Sequence, residues 1–180
     1  MDLPDLATAY IRTVYQYIIQ SGDFIIEIDV PDYQPDSSND GLYFDFRVDD
    51  VTPGTGSSNR ARVRYNIDGG THEVLFLYKV NGISGNSGDD NPASRPTKLR
   101  ITRSGNILSG YYYTDTWHLL ESKDFSSYAS DLYYVKLNVG DQASRGGYVE
   151  FDNLIFVEGC PAGYPKAWTT TTSSTTTTTV

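Results

Sequence analysis

Alternation with a period of two runs through residues 9–157 and constrains the fold more than any other feature of the chain. Phe24, Ile26, Ile28 and Val30 share one face, and Glu27 and Asp29 take the other. The same pattern sets Leu42, Phe44, Phe46 and Val48 against Asp45, Arg47 and Asp49. It then sets Ala61, Val63, Tyr65 and Ile67 against Arg62, Arg64, Asn66 and Asp68. Val74, Phe76, Tyr78 and Val80 continue it, followed by Leu99 with Ile101, then Tyr133, Val135, Leu137 and Val139. Val149 and Phe151 open a last run that ends in the apolar residues 154–157. A strand turns successive side chains to opposite faces, whereas a helix repeats every 3.6 residues. No helical stripe competes with this pattern, so at most one short helix is expected, near residues 124–130.

The punctuation agrees with an antiparallel arrangement. Asp68-Gly69-Gly70 and Ser104-Gly105-Asn106 separate alternating runs and read as tight hairpins, because Gly accepts φ > 0 at no steric cost. Residues 81–96 carry no period and are expected to form a long polar loop. About nine or ten short, one-sided strands predict an all-β chain: an antiparallel two-sheet β-sandwich of jelly-roll type. At 180 residues there is room for one such domain. The expected layout is an N-terminal arm (1–8), the sandwich (9–157), a Gly/Pro connector (158–168) and a Thr/Ser-rich tail (169–180).

Charge narrows the partners. Lys and Arg number 14 against 23 Asp and Glu, a formal net charge of −9. Such a surface repels phosphate backbones and lacks the basic clusters that anionic membranes attract, so neither nucleic acid nor a membrane is an expected partner. No apolar run approaches the ~20 residues that span a bilayer, and no signal peptide is visible at the start. The single Cys, Cys160, excludes an internal disulfide and a multi-Cys zinc site, and leaves a free thiol or an intermolecular bridge. The Thr/Ser tract cannot bury a core and reads as an extended stalk of an extracellular or cell-surface protein. With no N-x-S/T sequon in the chain, glycans on it would be O-linked, at Thr169, Thr170, Thr171, Thr172, Thr175, Thr176, Thr177, Thr178 and Thr179.

The strings SGDFIIEIDV, DGLYFDFRV, LRITRSGNILSGYYYTDTWHLL and GGYVEFDNLIF together resemble the concanavalin A-like lectin and glucanase superfamily. More narrowly, they resemble its bacterial laminin-G-like jelly-roll modules, over roughly residues 9–157. The resemblance implies a β-sandwich, extracellular placement and, often, sugar or surface binding. It also implies that Trp117 is a structural core residue. Such modules commonly carry more strand material ahead of the segment matching residues 9–20. Only eight residues precede it here, and a missing strand leaves a sheet edge open to another chain.

The residues that could carry chemistry are few. Glucanases of this superfamily need two carboxylates on one strand face. Glu27-Ile28-Asp29 and Glu150-Phe151-Asp152 each begin such a motif without supplying the second Glu. His72 and His118 have no nucleophile elbow to serve, so the chain is not expected to be an enzyme. Calcium is the one cofactor left open: Asp89, Asp90 and Asn91 concentrate oxygen donors, with Asp36, Asn39 and Asp40 as a second cluster, although Asp/Asn/Gly runs are usually plain turns. Tyr111, Tyr112, Tyr113 and Asp115 form the candidate sugar site, rings for stacking beside a hydrogen-bonding carboxylate. The competing reading makes these tyrosines cross-strand partners.

Two functions follow. The first is a non-catalytic structural subunit that assembles with copies of itself into a fibre or filament by strand exchange. Its assembly strand would carry Tyr10, Ile11, Val14, Tyr15, Tyr17, Ile18 and Ile19. The alternative is a carbohydrate-binding, lectin-like module tethered by the Thr-rich linker, with glycans as partners.

Overall fold

Phe24, Ile26 and Ile28 are buried while Ile25, Glu27 and Asp29 between them are only half-buried, as the pleat of a one-sided strand requires. The computed structural model describes residues 18–20, 22–30, 33–35, 42–50, 59–68, 71–126, 132–141, 147–149 and 152–158. Residues 9–17 and the Thr/Ser tail therefore lie outside the described residues, as do Asp36, Asn39, Asp40, Glu150 and Cys160.

Among the described residues thirteen strands follow one another: β1 (Ile18–Gln20), β2 (Phe24–Asp29), β3 (Tyr33–Pro35), β4 (Leu42–Asp49), β5 (Arg60–Asp68), β6 (Thr71–Val80), β7 (Ile83–Asp90), β8 (Lys98–Ser104), β9 (Ile107–Tyr113), β10 (Trp117–Asp124), β11 (Leu132–Asp141), β12 (Gly147–Val149) and β13 (Asp152–Glu158). A six-stranded sheet runs in the order β1-β11-β4-β5-β6-β7, and a five-stranded sheet in the order β10-β9-β8-β2-β13. Strands β3 and β12 form a separate pair. All described pairings are antiparallel, and the two main sheets make the expected jelly-roll β-sandwich. Among the described residues no helix is long and apolar enough to cross a membrane.

The core lies between the inner faces. Phe44, Phe46, Val63, Tyr65 and Phe76 from the larger sheet meet Phe24, Ile26, Leu99, Ile101 and Leu108 from the smaller one. Gly110 marks a close approach of the sheets. A methyl group there would run into the Phe76 ring and lie 2.9 Å from Val63 Cγ2.

One expectation fails. The segment 81–96 is not one long loop, because residues 83–90 form β7 and pair with β6. Asn81 and Gly82 turn the chain with φ of 49° and 83°, the left-handed pair that a two-residue hairpin demands. An edge strand can rest on its backbone ladder, so ISGNSGDD pairs without an alternating apolar face. Of the segment 124–130, where at most a short helix is expected, only the first residues are described: β10 ends at Asp124, and the buried Phe125 donates its N–H to the Asn106 carbonyl at 2.8 Å. Residues 127–130 are not described.

Replacing Gly110 by Ala should overfill this contact and cost about 1–3 kcal/mol. Chemical denaturation checks it, and a Phe76→Leu change in the same chain should restore part of the loss. Equal midpoints for wild type and Gly110→Ala would contradict the packing.

Candidate functional site

Once Tyr112 is committed to the core at 3% exposure, alternation sends Tyr111 and Tyr113 to the outer face of the five-stranded sheet. Register sets their neighbours. Tyr113 stands between Lys98 and Trp117, and Tyr111 between Arg100 and Leu119. Trp117 does not join the core cluster. It is half-buried on this outer face, with the Arg100 guanidinium 3.7 Å from its ring centroid and the Tyr113 ring edge-on at 5.2 Å. Trp117 on β10 and Arg100 on β8 are two strand spacings apart, about 9.6 Å, so the side chains reach toward each other across β9. The core position expected for Trp117 is therefore wrong. The position opens a strand beside the Thr114–Thr116 turn, and the pleat that buries Leu120 does not reach it.

Arg100 is fixed from its other side. Its Nε donates to Glu27 Oε1 at 2.8 Å, and its Nη2 lies 2.5 Å from the same oxygen. Glu27, Arg100 and Trp117 thus form one chain of contacts across the sheet. A second tie runs parallel to it: Lys98 Nζ donates to Asp29 Oδ1 at 2.7 Å, and Asn153 Nδ2 to Asp29 Oδ2 at 3.0 Å. Leu119, 57% exposed, borders the aromatic group on the edge strand. The result is a surface that bears three aromatic rings beside guanidinium and carboxylate groups already held in place. Neutral rings with flanking polar groups suit an amphipathic ligand with one apolar face. Cation–π contact and paired charges lower the cost of keeping Trp117 at the surface.

The other candidate residues gather elsewhere. At one end of the sandwich the Tyr112 hydroxyl donates to Asp90 Oδ2, and His118 stacks on the Tyr112 ring with centroids 4.8 Å apart and planes 9° from parallel. Thr114 Oγ1 lies 3.2 Å from His118 Nε2, and Asp115 Oδ1 3.5 Å from it. Hydrogen bonds from the Thr114 hydroxyl and backbone N–H groups hold the Asp115 carboxyl below the usual carboxylate range. Asp115 therefore stands with His118, away from Tyr111 and Tyr113. Asp89 and Asp90 are strand residues facing opposite ways: Asp89 lines the outer side of the larger sheet, while Asp90 meets Tyr112 and accepts the Asn91 N–H at 2.8 Å. Among the described residues no three His, Cys, Asp or Glu side chains come together as a metal site. His72 is not merely solvated, since its Nδ1 shares a 2.7 Å hydrogen bond with the Tyr65 hydroxyl. Burial first, and Arg95 second, lower its affinity for a proton.

No protein-family model matches the chain, and no curated protein matches it in sequence. Solved structures do resemble it. A functionally unknown protein from Saccharomyces cerevisiae superposes with a TM-score of 0.53 at 18% identity, over 76% of this chain and 68% of that one. The carbohydrate-binding module CBM66 from Bacillus subtilis gives 0.47 at 15% identity, over 87% and 89%. A CBM2 module from the evolved Dit protein of Lactobacillus casei BL23 phage J-1 gives 0.48 at 15%, over 71% and 56%. The likeness is one of fold.

The sandwich end yields a pH test. Burial, and then the Asp90 carboxylate, push Tyr112 up to about 12 from its ordinary 10. The folded state thus keeps a proton that the unfolded chain releases above pH 10. This contribution to stability is complete below pH 10 and disappears as pH rises through 12. Tyr112→Phe should cost about 1–3 kcal/mol at pH 7 and flatten the alkaline decline of the melting temperature. An unchanged slope between pH 10 and 12 would contradict the assignment.

Proposed function

We propose that the protein is a non-catalytic carbohydrate-binding domain, and that it holds neutral sugar chains on the outer face of its five-stranded sheet. The observation that carries this reading is Trp117, which lies outside the core and is held by Arg100 and Tyr113. A pyranose ring presents an apolar C–H face and a rim of hydroxyls. Trp117, Tyr111 and Tyr113 offer stacking surface for the first, and Glu27, Asp29, Lys98 and Asn153 offer hydrogen bonds for the second. The commitment of Glu27 to Arg100 favours a positioning role over hydrolysis. A secreted or surface-exposed setting, with the Thr/Ser tract as an O-glycosylated stalk, fits such a module.

Affinity electrophoresis against soluble glucans, mannans and xylans tests the reading. At least one should retard the wild type. Trp117→Ala should weaken binding about 10- to 30-fold, or ~1.4–2 kcal/mol, and cost only about 1–2 kcal/mol of stability as a surface cation–π residue. A stability loss of ~3–5 kcal/mol, the scale of a core truncation, or retained binding would oppose it.

One observation keeps assembly by strand exchange as a second reading. Strand β1 is a three-residue edge strand on β11, where a neighbour's N-terminal segment could pair instead. Sedimentation velocity decides it. Oligomers that vanish when residues 1–20 are removed would support exchange, and a monomeric full-length chain would exclude it.

A further inference from the structure

The outer face of the six-stranded sheet inverts the charge balance of the chain. It carries Arg47, Arg60, Arg62, Arg64, Lys79 and Lys136, six of the 14 basic residues. Register places five carboxylates on the same face among the described residues: Asp45, Asp49, Asp68, Glu73 and Asp89. Register places Lys136, Arg47 and Arg62 side by side on three adjacent strands, an arrangement of like charges that costs stability in a sheet.

The two central carboxylates are already committed. Asp45, with no exposed surface, accepts from Arg62 Nη1 at 3.0 Å and from Arg64 Nε at 2.7 Å. Asp49, equally buried, lies 2.5 Å from Arg47 Nη2 and 2.5 Å from Lys136 Nζ. Arg60 and Lys79 form no ion pair with a described carboxylate, and Arg62 Nε is buried without a hydrogen-bond partner. Burial is the largest influence on Arg62 and lowers its pKa, with Arg64, Arg60 and Arg47 acting in the same direction. A guanidinium partly stripped of water and short of carboxylates is a site that an incoming anion relieves.

The same residues line a cavity. About 240 Å³ opens between Arg60, Arg62, Leu77, Ser84, Gly85 and Asn86. A neighbouring space of about 290 Å³, sharing Asn86, is lined by Leu75, Gly88 and Asp89. Leu77 and Leu75 stand two residues apart on β6, so the spaces follow successive rungs about 7 Å apart along the sheet. Each has an apolar patch, but only the first has free cationic donors. At the second the exposed Asp89 carboxylate repels an anion and accepts hydroxyl hydrogens.

We propose that this groove binds an acidic glycan in which a carboxylate-bearing sugar adjoins a neutral one, with the carboxylate on Arg60 and Arg62 and the neutral unit beside Asp89. Guanidinium groups take carboxylates in a forked, two-bond geometry. Each space is small enough to select one sugar-sized unit over a folded protein surface. The site is separate from the aromatic face, which belongs to the other sheet.

Calorimetric titration of the full chain with three probes tests the proposal: a hyaluronan hexasaccharide (glucuronate alternating with N-acetylglucosamine), trigalacturonate and neutral chitohexaose. The hyaluronan probe should bind the more tightly of the two acidic probes, weakening as salt is raised, and any chitohexaose binding should be the same in wild type and Arg60→Gln. Arg60→Gln and Arg62→Gln should each reduce affinity at least ten-fold. Arg60 makes no ion pair with a described carboxylate, so its variant is expected to keep the fold and serves as the reference should Arg62→Gln unfold. Asp89→Asn should strengthen trigalacturonate binding and narrow the gap between the two acidic probes. Unchanged affinity for the acidic probes in Arg60→Gln, or an equal loss of chitohexaose affinity in that variant, would overturn the site. So would failure of both acidic probes together with a low-salt self-association that Arg60→Gln abolishes, which assigns the face to an acidic surface of a second copy.

Discussion

The close packing of two pleated inner faces governs the rest of the molecule. With Phe24, Phe44, Phe46, Tyr65 and Phe76 buried, no strand carrying them can slip by one residue without turning phenylalanines to water and carboxylates to the core. At Gly110, against Phe76 and Val63, the sheets come too close for a Cβ. Everything outside the core is placed by this register. Tyr111 and Tyr113 face outward because Tyr112 faces inward, and Arg62 and Arg64 because Val63 does.

The two outer faces solve the same problem differently. A charged side chain lying on a sheet loses part of its hydration, so it needs a partner or a ligand. On the smaller sheet the partners suffice: Glu27 with Arg100 and Asp29 with Lys98 are one-to-one pairs across β2 and β8. Rings then fill the remaining surface, producing a neutral platform. On the larger sheet each buried carboxylate serves two cations, and Arg60 and Lys79 are left over. One face is thus balanced and aromatic, the other cationic, and both follow from which residues alternate with the core.

Most of the fold was legible because alternation reports burial directly. The runs containing Phe24, Phe44, Val63 and Leu99 each became strands with the expected inner face. Strand β7 was not legible, since an edge strand held by its backbone ladder leaves no apolar trace in Ser84, Gly85, Asn86 and Gly88. The Asn81-Gly82 pair was the available signal, a two-residue turn placed directly after an alternating run. For the site, Tyr111 and Tyr113 were readable as residues but not as neighbours of Arg100. Pairing of β8 with β9 and β9 with β10 brings Arg100 and Trp117 together, and such contacts are invisible in sequence spacing. The resemblance to laminin-G-like modules placed Trp117 inside, whereas the register puts it out. Asp90 and Asp115, candidates for calcium and sugar in the sequence, take part in the Tyr112–His118 cluster, a contact that sequence spacing does not reveal.

Nuclear magnetic resonance of the 15N-labelled protein, titrated with a neutral oligosaccharide cut from whichever polysaccharide it binds, tests the central claim most directly. The largest shifts should fall on the Trp117 indole N–H and on the backbone amides of Arg100, Tyr111 and Tyr113, with smaller ones along Glu27 and Lys98. Shifts centred on Asp90, Tyr112 and His118 at the sandwich end, with the Trp117 indole unmoved, would contradict a sugar platform on the five-stranded sheet.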